Sequence, residues 1–210
     1  MNITAFRFRF IRYMEPVAHI FVATGISPNQ VTIISLILGI CCACCYSVSF
    51  FILGSIFLFL SAVSDLLDGL VARQTGRETK FGAVFDWIVD KYIDGIILLG
   101  VGISGIPIIS GFFPSCPIPD SAIIGFAIIG SLMNTFIKPV TYAEIGFQNR
   151  IDGKIDDPLE GVGFFGRPET ILVLGIGGLV GYISVAIIII AVCTNCSAIQ
   201  RIIYLYRQYS

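Results

Sequence analysis

Long apolar runs separated by short polar or basic connections fill the chain from residue 29 onward. A helix that crosses a membrane needs about 20 mostly apolar residues. The pattern predicts six such spans, at roughly 29–49, 51–74, 82–105, 119–143, 168–182 and 183–206. The last two share one apolar stretch, which we divide at its cluster of glycines; a single long helix, giving five spans, is the alternative.

Basic residues fall on alternate connections between these spans. They occupy residues 7–12, 73–80, 138–167 and 201–207, whereas the other connections contain no Lys or Arg. Loops rich in Lys and Arg stay in the cytoplasm. The charge pattern therefore supports six spans and predicts that both termini and the two basic loops face the cytoplasm.

The composition agrees with a membrane protein. Hydrophobic residues make up 56% of the chain and charged residues 13%, and the mean hydropathy is +0.90. Soluble domains contain roughly 25% charged residues, so a soluble globular or disordered protein is excluded. A net charge of −1 gives no attraction to nucleic acid, and the expected partner is the lipid bilayer. We interpret the seven cysteines as small packing residues rather than as disulfides or a zinc site.

The first 26 residues have a different character from the rest. Aromatic and basic residues alternate over residues 6–12, which predicts an amphipathic helix lying at the cytoplasmic surface of the membrane. Ser27, Pro28 and Gln30 then form a capping-box pattern at the start of span one. The sequence thus predicts an all-α integral membrane protein, with an interfacial segment at 1–26 and a six-helix transmembrane domain at 27–210.

Four carboxylates lie near the cytoplasmic ends of spans two and three, where these neighbouring spans are expected to meet. Asp65 and Asp68 are three residues apart and Asp86 and Asp90 are four apart, so each pair shares one helix face. We expect spans two and three to be antiparallel neighbours, which brings the four acids together. Such acids need a compensating charge, and two Mg²⁺ or Mn²⁺ ions suit oxygen ligands. For Asp94, a structural ion pair with Lys91 or Arg73 is the alternative to a functional role.

The string from residue 65 to residue 90 reads D-x2-D-G-x2-A-R-x8-G-x3-D-x3-D. It resembles the signature of the CDP-alcohol phosphotransferase family of integral membrane enzymes, and the six-span layout is similar to that family as well. By resemblance, the protein transfers a lipid-phosphate group from a CDP-linked lipid to an alcohol and releases CMP. The resemblance also implies a homodimer, which small residues in spans one, three and five would permit.

The resemblance implies roles for the signature residues. Asp65, Asp68 and Asp86 are expected to bind the metal ions, and Asp90 both to contact a metal and to act as the general base. Residues at the start of span one and in the small or polar signature positions are expected to contact the CDP-lipid: Asn29, Gln30, Val31, Thr32, Gly69, Ala72, Arg73, Thr79 and Gly82. For the first four of these, a structural helix cap is a compatible alternative.

Three cations outside the signature indicate the acceptor alcohol. Lys138, Arg167 and Arg201 lie near the cytoplasmic ends of three different spans and could surround a phosphate. They resemble the acceptor-phosphate residues of the branch that makes phosphatidylinositol phosphate or its archaeal ether-lipid analogue, for which the acceptor is inositol 1-phosphate. Glycerol phosphate or another alcohol stays open, and membrane-surface anchoring is the alternative role of these cations.

A cation or proton transporter is the alternative from a different functional class, because buried acids in membrane helices also form ion pathways. Transporter sites lie near the midplane, with broken helices and repeats. The predicted acids lie at one cytoplasmic depth instead, which favours the enzyme.

Overall fold

The computed structural model describes residues 4–145, 150–151, 154–155, 159 and 161–210, with side chains for 14–144, 159 and 161–210. The described part contains seven α-helices and one two-stranded antiparallel pairing. The elements are α1 (Thr4–Ala23), α2 (Pro28–Ser47), α3 (Phe51–Thr75), α4 (Lys80–Ile103), α5 (Asp120–Ile145), β1 (Arg150–Ile151), β2 (Lys154–Ile155), α6 (Arg167–Val180) and α7 (Ile183–Tyr209).

Four of the described helices are long and apolar enough to cross a membrane: α2, α3, α5 and α7. These helices indicate a membrane protein. Helix α4 is long enough, but its acids and lysines interrupt the apolar run. Helix α6 has 14 residues, which at 1.5 Å per residue is about 21 Å and short of a bilayer core of about 30 Å.

Local sequence signals place the helix boundaries. The amide of Ser27 donates to Gln30 Oε1 at 2.8 Å and the amide of Gln30 donates to Ser27 Oγ at 3.4 Å, so the predicted capping box is present. Gly181 ends α6 at a φ of +83°, a left-handed conformation that glycine adopts without strain. The apolar stretch is therefore two helices, as the six-segment division predicts, and not one.

Helix α2 packs extensively against both α3 and α4 and so links these two helices. A Cβ atom on Gly100 of α4 would lie 2.5 Å from the carbonyl oxygen of Ala43, so only glycine permits this close approach. Ser35 and Ser61 exchange hydrogen bonds of 2.9 Å between hydroxyl and carbonyl across α2 and α3. These contacts hold α3 and α4 on either side of α2.

Helices α3 and α4 approach each other closely at few points, which corrects the expectation that they pack directly side by side. Their acidic faces meet across the space between them instead. Helix α1 packs on α3, where Ala18 contacts a small core that includes Leu67 and Val71. The predicted pattern of aromatic and basic side chains at residues 6–12 lies outside the described side chains. All seven cysteines are free, as predicted.

Candidate active site

Three carboxylates from two helices form a compact group. Asp65 and Asp68 of α3 and Asp86 of α4 each offer an oxygen, and these oxygens lie within 4.8 Å of one another. The three-residue spacing puts the first two on one helix face, and the turn between Gly76 and Thr79 returns the chain so that Asp86 reaches them. Asp90, one turn further along α4, is joined to this group through Arg167, which pairs with both Asp90 and Asp65.

A hydroxyl group holds one member of the cluster in place. Thr32 Oγ1 donates a hydrogen bond of 2.6 Å to Asp68 Oδ2, and both side chains are buried. The sequence pattern placed Thr32 among the nucleotide contacts, whereas the structure places its hydroxyl on an acid of the cluster. No short-range signal could have identified this pair, because 36 residues separate its members.

A prediction follows for Thr32. We expect Thr32→Val, which keeps the shape and removes the donor, to weaken Mn²⁺ binding by about 10- to 100-fold, the usual effect of losing a partner of a metal ligand. Thr32→Ser should bind Mn²⁺ nearly as well as the parent protein, since it keeps the hydroxyl. Electron paramagnetic resonance of free Mn²⁺ measures both affinities. Equal affinities for the Val and Ser variants would contradict the assignment.

Arg167 joins the acids of α3 and α4. Its Nη1 lies 2.7 Å from Asp65 Oδ2, its Nη2 2.8 Å from Asp90 Oδ1 and its Nε 3.1 Å from Asp94 Oδ1. The Arg167 side chain is 16% exposed, so these pairs are partly shielded from water and the cation offsets repulsion among the carboxylates. Asp94 also pairs with Lys91 Nζ at 2.8 Å, which confirms the ion-pair interpretation of Asp94.

The beginning of α6 presents Arg167 to the acids. The amide of Gly166 donates to Glu169 Oε2 at 2.9 Å, and Pro168 lies in the first turn, where its missing N–H costs nothing. The helix start is thus the one that the Gly-Arg-Pro-Glu string predicts. The pairing of Arg167 with Asp65 and Asp90 was not predicted, because it joins residues far apart in the sequence.

The predicted nucleotide residues lie at the adjoining starts of α2 and α4. A Cβ atom on Gly82 would lie 3.3 Å from Asn29 Oδ1 and 3.0 Å from Thr79 Oγ1, so these three positions are in close contact. Thr79 Oγ1 also caps α4 by accepting from the Gly82 amide at 2.9 Å. A surface with small and polar groups thus lies beside the acids.

The other predicted nucleotide residues have separate surroundings. Arg73 is exposed and its guanidinium lies over Gly69, with 3.4 Å between Nη1 and an added Cβ. Ala72 is half-buried beside them. Gln30 caps α2, and Val31 is fully buried in the core against α1 and α3. The structure therefore brings Arg73 and Gly69 together and places the Val31 side chain in the core.

The three predicted acceptor cations occupy different environments. Lys138 is half-buried in α5, immediately before Pro139, and Arg167 lies among the acids. Arg201 of α7 is 6% exposed, and its guanidinium donates to two backbone carbonyls, of Val162 at 2.9 Å and of Asn134. The phosphate-binding role of all three stays a prediction.

Comparison with known proteins identifies the family. The model of the CDP-alcohol phosphatidyltransferase family matches residues 25–156, more than half of the chain, and includes the whole acidic signature. The chain belongs to the CDP-alcohol phosphatidyltransferase family. It is therefore a transferase of phospholipid biosynthesis, and the transporter alternative is set aside.

Relatives of this phosphatidyltransferase include archaetidylinositol phosphate synthases from two archaea. The Pyrococcus horikoshii protein is 26% identical over 189 residues, which cover 90% of this chain and 88% of that protein. The Methanothermobacter thermautotrophicus protein is 25% identical over 204 residues, covering 94% and 90%. The crystal structure of Mycobacterium tuberculosis phosphatidylinositol phosphate synthase with CDP-DAG bound has a TM-score of 0.72 at 24% identity, covering 93% and 94%. That likeness supports the fold.

Proposed function

We propose that this phosphatidyltransferase moves a lipid-phosphate group from a CDP-linked lipid to inositol 1-phosphate and releases CMP. The observation that carries the proposal is the acid cluster of Asp65, Asp68 and Asp86 beside Asp90, inside the family signature. Two relatives that match nearly the whole chain are archaetidylinositol phosphate synthases, which favours this acceptor. Glycerol phosphate or another polar alcohol is the second candidate.

The acid cluster fits divalent cations. Its donors are carboxylate oxygens close enough to share an ion, and Thr32 orients one of them; such ligands suit Mg²⁺ or Mn²⁺. A related solved structure, from Mycobacterium tuberculosis, contains manganese and citrate. Asp65, Asp68, Asp86 and Asp90 would hold two ions. When bound, these ions would supply positive charge that offsets the negative charge developing on the departing CMP.

Asp90 is proposed to act as the general base. Its carboxylate accepts the proton of the acceptor hydroxyl, the oxygen forms a bond to the phosphorus that carries the lipid, and the bond from that phosphorus to CMP breaks. Arg167 lies 2.8 Å from Asp90 and 2.7 Å from Asp65, so it keeps the base aligned with a metal ligand. Arg167 is therefore suited to align the two carboxylates during the transfer.

The CDP part is proposed to lie along the starts of α2 and α4 and the end of α3. Asn29, Thr79 and Gly82 are in close contact there, and the Arg73 guanidinium lies next to Gly69. Arg73 is exposed and could form forked hydrogen bonds with a phosphate. Four further residues complete this surface. Gln30 caps α2, Val31 and Thr32 support the surface from the core and from Asp68, and the small side chain of Ala72 keeps it narrow.

The phosphate of the acceptor is proposed to bind near Lys138 and Arg167. Lys138 is half-buried on α5, and Arg167 opens α6 beside the acids. A doubly charged phosphate is a strong hydrogen-bond acceptor for such cations. Arg201 of α7 is proposed as the third cation of this site, in addition to the contacts that its guanidinium makes with the backbone.

In the proposed membrane arrangement, α2 to α7 form six spans, and local thinning of the bilayer accommodates the short α6. Helix α1 lies at the cytoplasmic interface as part of a separate segment, 1–26. The acids of α4 face the site rather than lipid, which allows α4 to span despite its charges. Both termini and the active site face the cytoplasm in this arrangement, where a polar acceptor arrives from water. The enzyme is proposed to be a homodimer.

Lys138 provides a test of the acceptor site. We expect Lys138→Ala to raise the KM for inositol 1-phosphate by about tenfold or more, the loss of one charge-assisted hydrogen bond, while the KM for the CDP-lipid is unchanged. Lys138→Arg should restore much of the affinity, since it keeps the charge. An unchanged acceptor KM in a folded Lys138→Ala protein would contradict the role.

The identity of the acceptor is tested by its product. The purified protein in lipid is given a CDP-linked lipid and Mg²⁺ with inositol 1-phosphate, glycerol phosphate or free inositol, and the lipid product is identified by mass spectrometry. We expect a product with inositol 1-phosphate. A product with glycerol phosphate alone would retain the transferase site and replace the acceptor.

A further inference from the structure

Asp94 lies one turn beyond Asp90 on α4, just outside the acidic signature. Asp86, Asp90 and Asp94 are spaced by four residues, so they share one face of the helix. The compact group of oxygens within 4.8 Å of one another is made by Asp65, Asp68 and Asp86. Asp94 therefore continues the acidic face of α4 next to the group that is proposed to bind metal.

Both carboxylate oxygens of Asp94 are bound by cations. Oδ1 accepts from Arg167 Nε at 3.1 Å, and Oδ2 accepts from Lys91 Nζ at 2.8 Å. The Asp94 side chain is only 6% exposed, so water competes little for these bonds. A carboxylate that is held at both oxygens is fixed in orientation, and its position fixes that of the arginine.

The guanidinium of Arg167 gives each of its three nitrogens to a different acid. Nε contacts Asp94, Nη1 lies 2.7 Å from Asp65 Oδ2 and Nη2 lies 2.8 Å from Asp90 Oδ1. Asp65 and Asp90 have other proposed roles, as a metal ligand and as the base. Asp94 is assigned neither role, so its contact with Nε is the one that serves the arginine alone.

The position of this contact on the guanidinium matters. Nε joins the planar group to the aliphatic part of the side chain, so a bond at Nε sets the direction in which the two terminal nitrogens point. A lysine has a single nitrogen and cannot be held at one atom while it presents two others. Holding Nε leaves Nη1 and Nη2 as the pair that can bind a phosphate in a forked geometry.

We propose that Asp94 is a positioning residue, which holds Arg167 at Nε and keeps its two terminal nitrogens beside Asp90, where the acceptor phosphate would bind. Lys91 assists by holding the second oxygen of Asp94. The proposal rests on the proposed function, because it takes Arg167 as a cation of the acceptor site. It gives Asp94 a role in acceptor binding in addition to its ion pair with Lys91.

The contact itself is tested without any activity, by NMR of the protein labelled with ¹⁵N in its arginine side chains. Loss of a signal in Arg167→Lys assigns the Nε–H of Arg167. We expect Asp94→Asn to speed exchange of this proton with water by about fivefold or more, because a charge-assisted hydrogen bond becomes a neutral one. The Nε–H of Arg207, an exposed arginine, is the control and should not change. Unchanged exchange at Arg167 would overturn the proposal.

A double-mutant cycle tests the functional part. We expect Asp94→Asn to raise the KM for inositol 1-phosphate by about fivefold or more, while the KM for the CDP-lipid and the affinity for Mn²⁺ stay unchanged. In an Arg167→Ala background the same change should raise the acceptor KM by less than about twofold, because no Nε is left to hold. Asp94→Glu keeps the charge and should restore part of the loss. Glu15→Gln, an exposed acid-to-amide change on α1, is the matched control.

Other outcomes separate this proposal from its alternatives. An equal rise of the acceptor KM in the parent and Arg167→Ala backgrounds would show that Asp94 acts without Arg167, and a loss of Mn²⁺ affinity would make Asp94 a metal ligand; either result overturns the proposal. If Asp94→Asn does not fold, the parent protein decides. Saturating inositol 1-phosphate should leave the Nε–H of Arg167 protected, and faster exchange would overturn the proposal. A folded parent that transfers nothing to inositol 1-phosphate would refute the proposed acceptor alone, since the exchange measurement still decides whether Asp94 holds Arg167.

Discussion

Asp90→Asn is expected to lower kcat by about 10²- to 10⁴-fold, the usual contribution of a general base. The amide keeps the shape of the carboxylate but cannot take the proton of the acceptor hydroxyl. It also loses its charge attraction to Arg167, whose Nη2 lies 2.8 Å from Asp90 Oδ1. Binding of the CDP-lipid should persist, because Asp65, Asp68 and Asp86 remain. CMP release and CDP-lipid binding by the same preparation measure the two effects separately.

The matched control for this acid-to-amide change is Glu15→Gln, at an exposed position of α1 outside the acid cluster. Its CMP release should equal that of the parent protein. Substantial turnover by a well-folded Asp90→Asn protein would refute the base assignment. Loss of CDP-lipid binding together with turnover would instead assign Asp90 to substrate binding.

The second large effect is expected at the acid cluster itself. Asp86→Asn removes one of the three carboxylates whose oxygens lie within 4.8 Å of one another. The affinity for Mn²⁺ should fall by more than the roughly 10- to 100-fold that loss of an outer partner causes, because a direct ligand is lost. Turnover at low metal concentration should fall with it and recover in part as Mn²⁺ is raised.

Asp86 is the carboxylate that α4 contributes to the group. Changing it leaves in place the ion pair of Asp65 with Arg167 and the hydrogen bond that Asp68 accepts from Thr32. Titration of free Mn²⁺ in Asp86→Asn and in Glu15→Gln gives the comparison. Parent-like Mn²⁺ affinity in a folded Asp86→Asn protein would contradict a metal role for the cluster.

The helices were largely predictable because their boundaries are encoded locally. Ser27 and Gln30 cap α2, Glu169 caps α6, and Gly181 ends α6 in a left-handed conformation. Each signal acts over three or four residues. The convergence of the acids was predictable for the same reason, since helical spacing fixes the face on which Asp65 and Asp68 lie.

The contacts between distant segments were not predictable from one sequence. Helix α2 lies against both α3 and α4, although the short connection between those two suggested direct packing. Arg167 reaches Asp65 across 102 residues and Thr32 reaches Asp68 across 36. Tertiary packing alone sets these distances.

Arg201 illustrates the limit of charge-based reasoning. A cation near the cytoplasmic end of a span predicts a phosphate ligand or a membrane anchor. The structure adds contacts of its guanidinium with the carbonyls of Val162 and Asn134, which the charge pattern does not predict. Only the path of residues 161–166 between α5 and α7 makes the contact with Val162, and nothing in the residues around Arg201 signals it.

The acid cluster is proposed to catalyse acceptor- and metal-dependent release of CMP from a CDP-linked lipid. The most direct measurement is CMP release by the purified protein in lipid, with and without inositol 1-phosphate, in Mg²⁺ or in a chelator. We expect release only when both the acceptor and the metal are present, and its loss in Asp90→Asn. Release that continues in the chelator, or at the parent rate in Asp90→Asn, would contradict the claim.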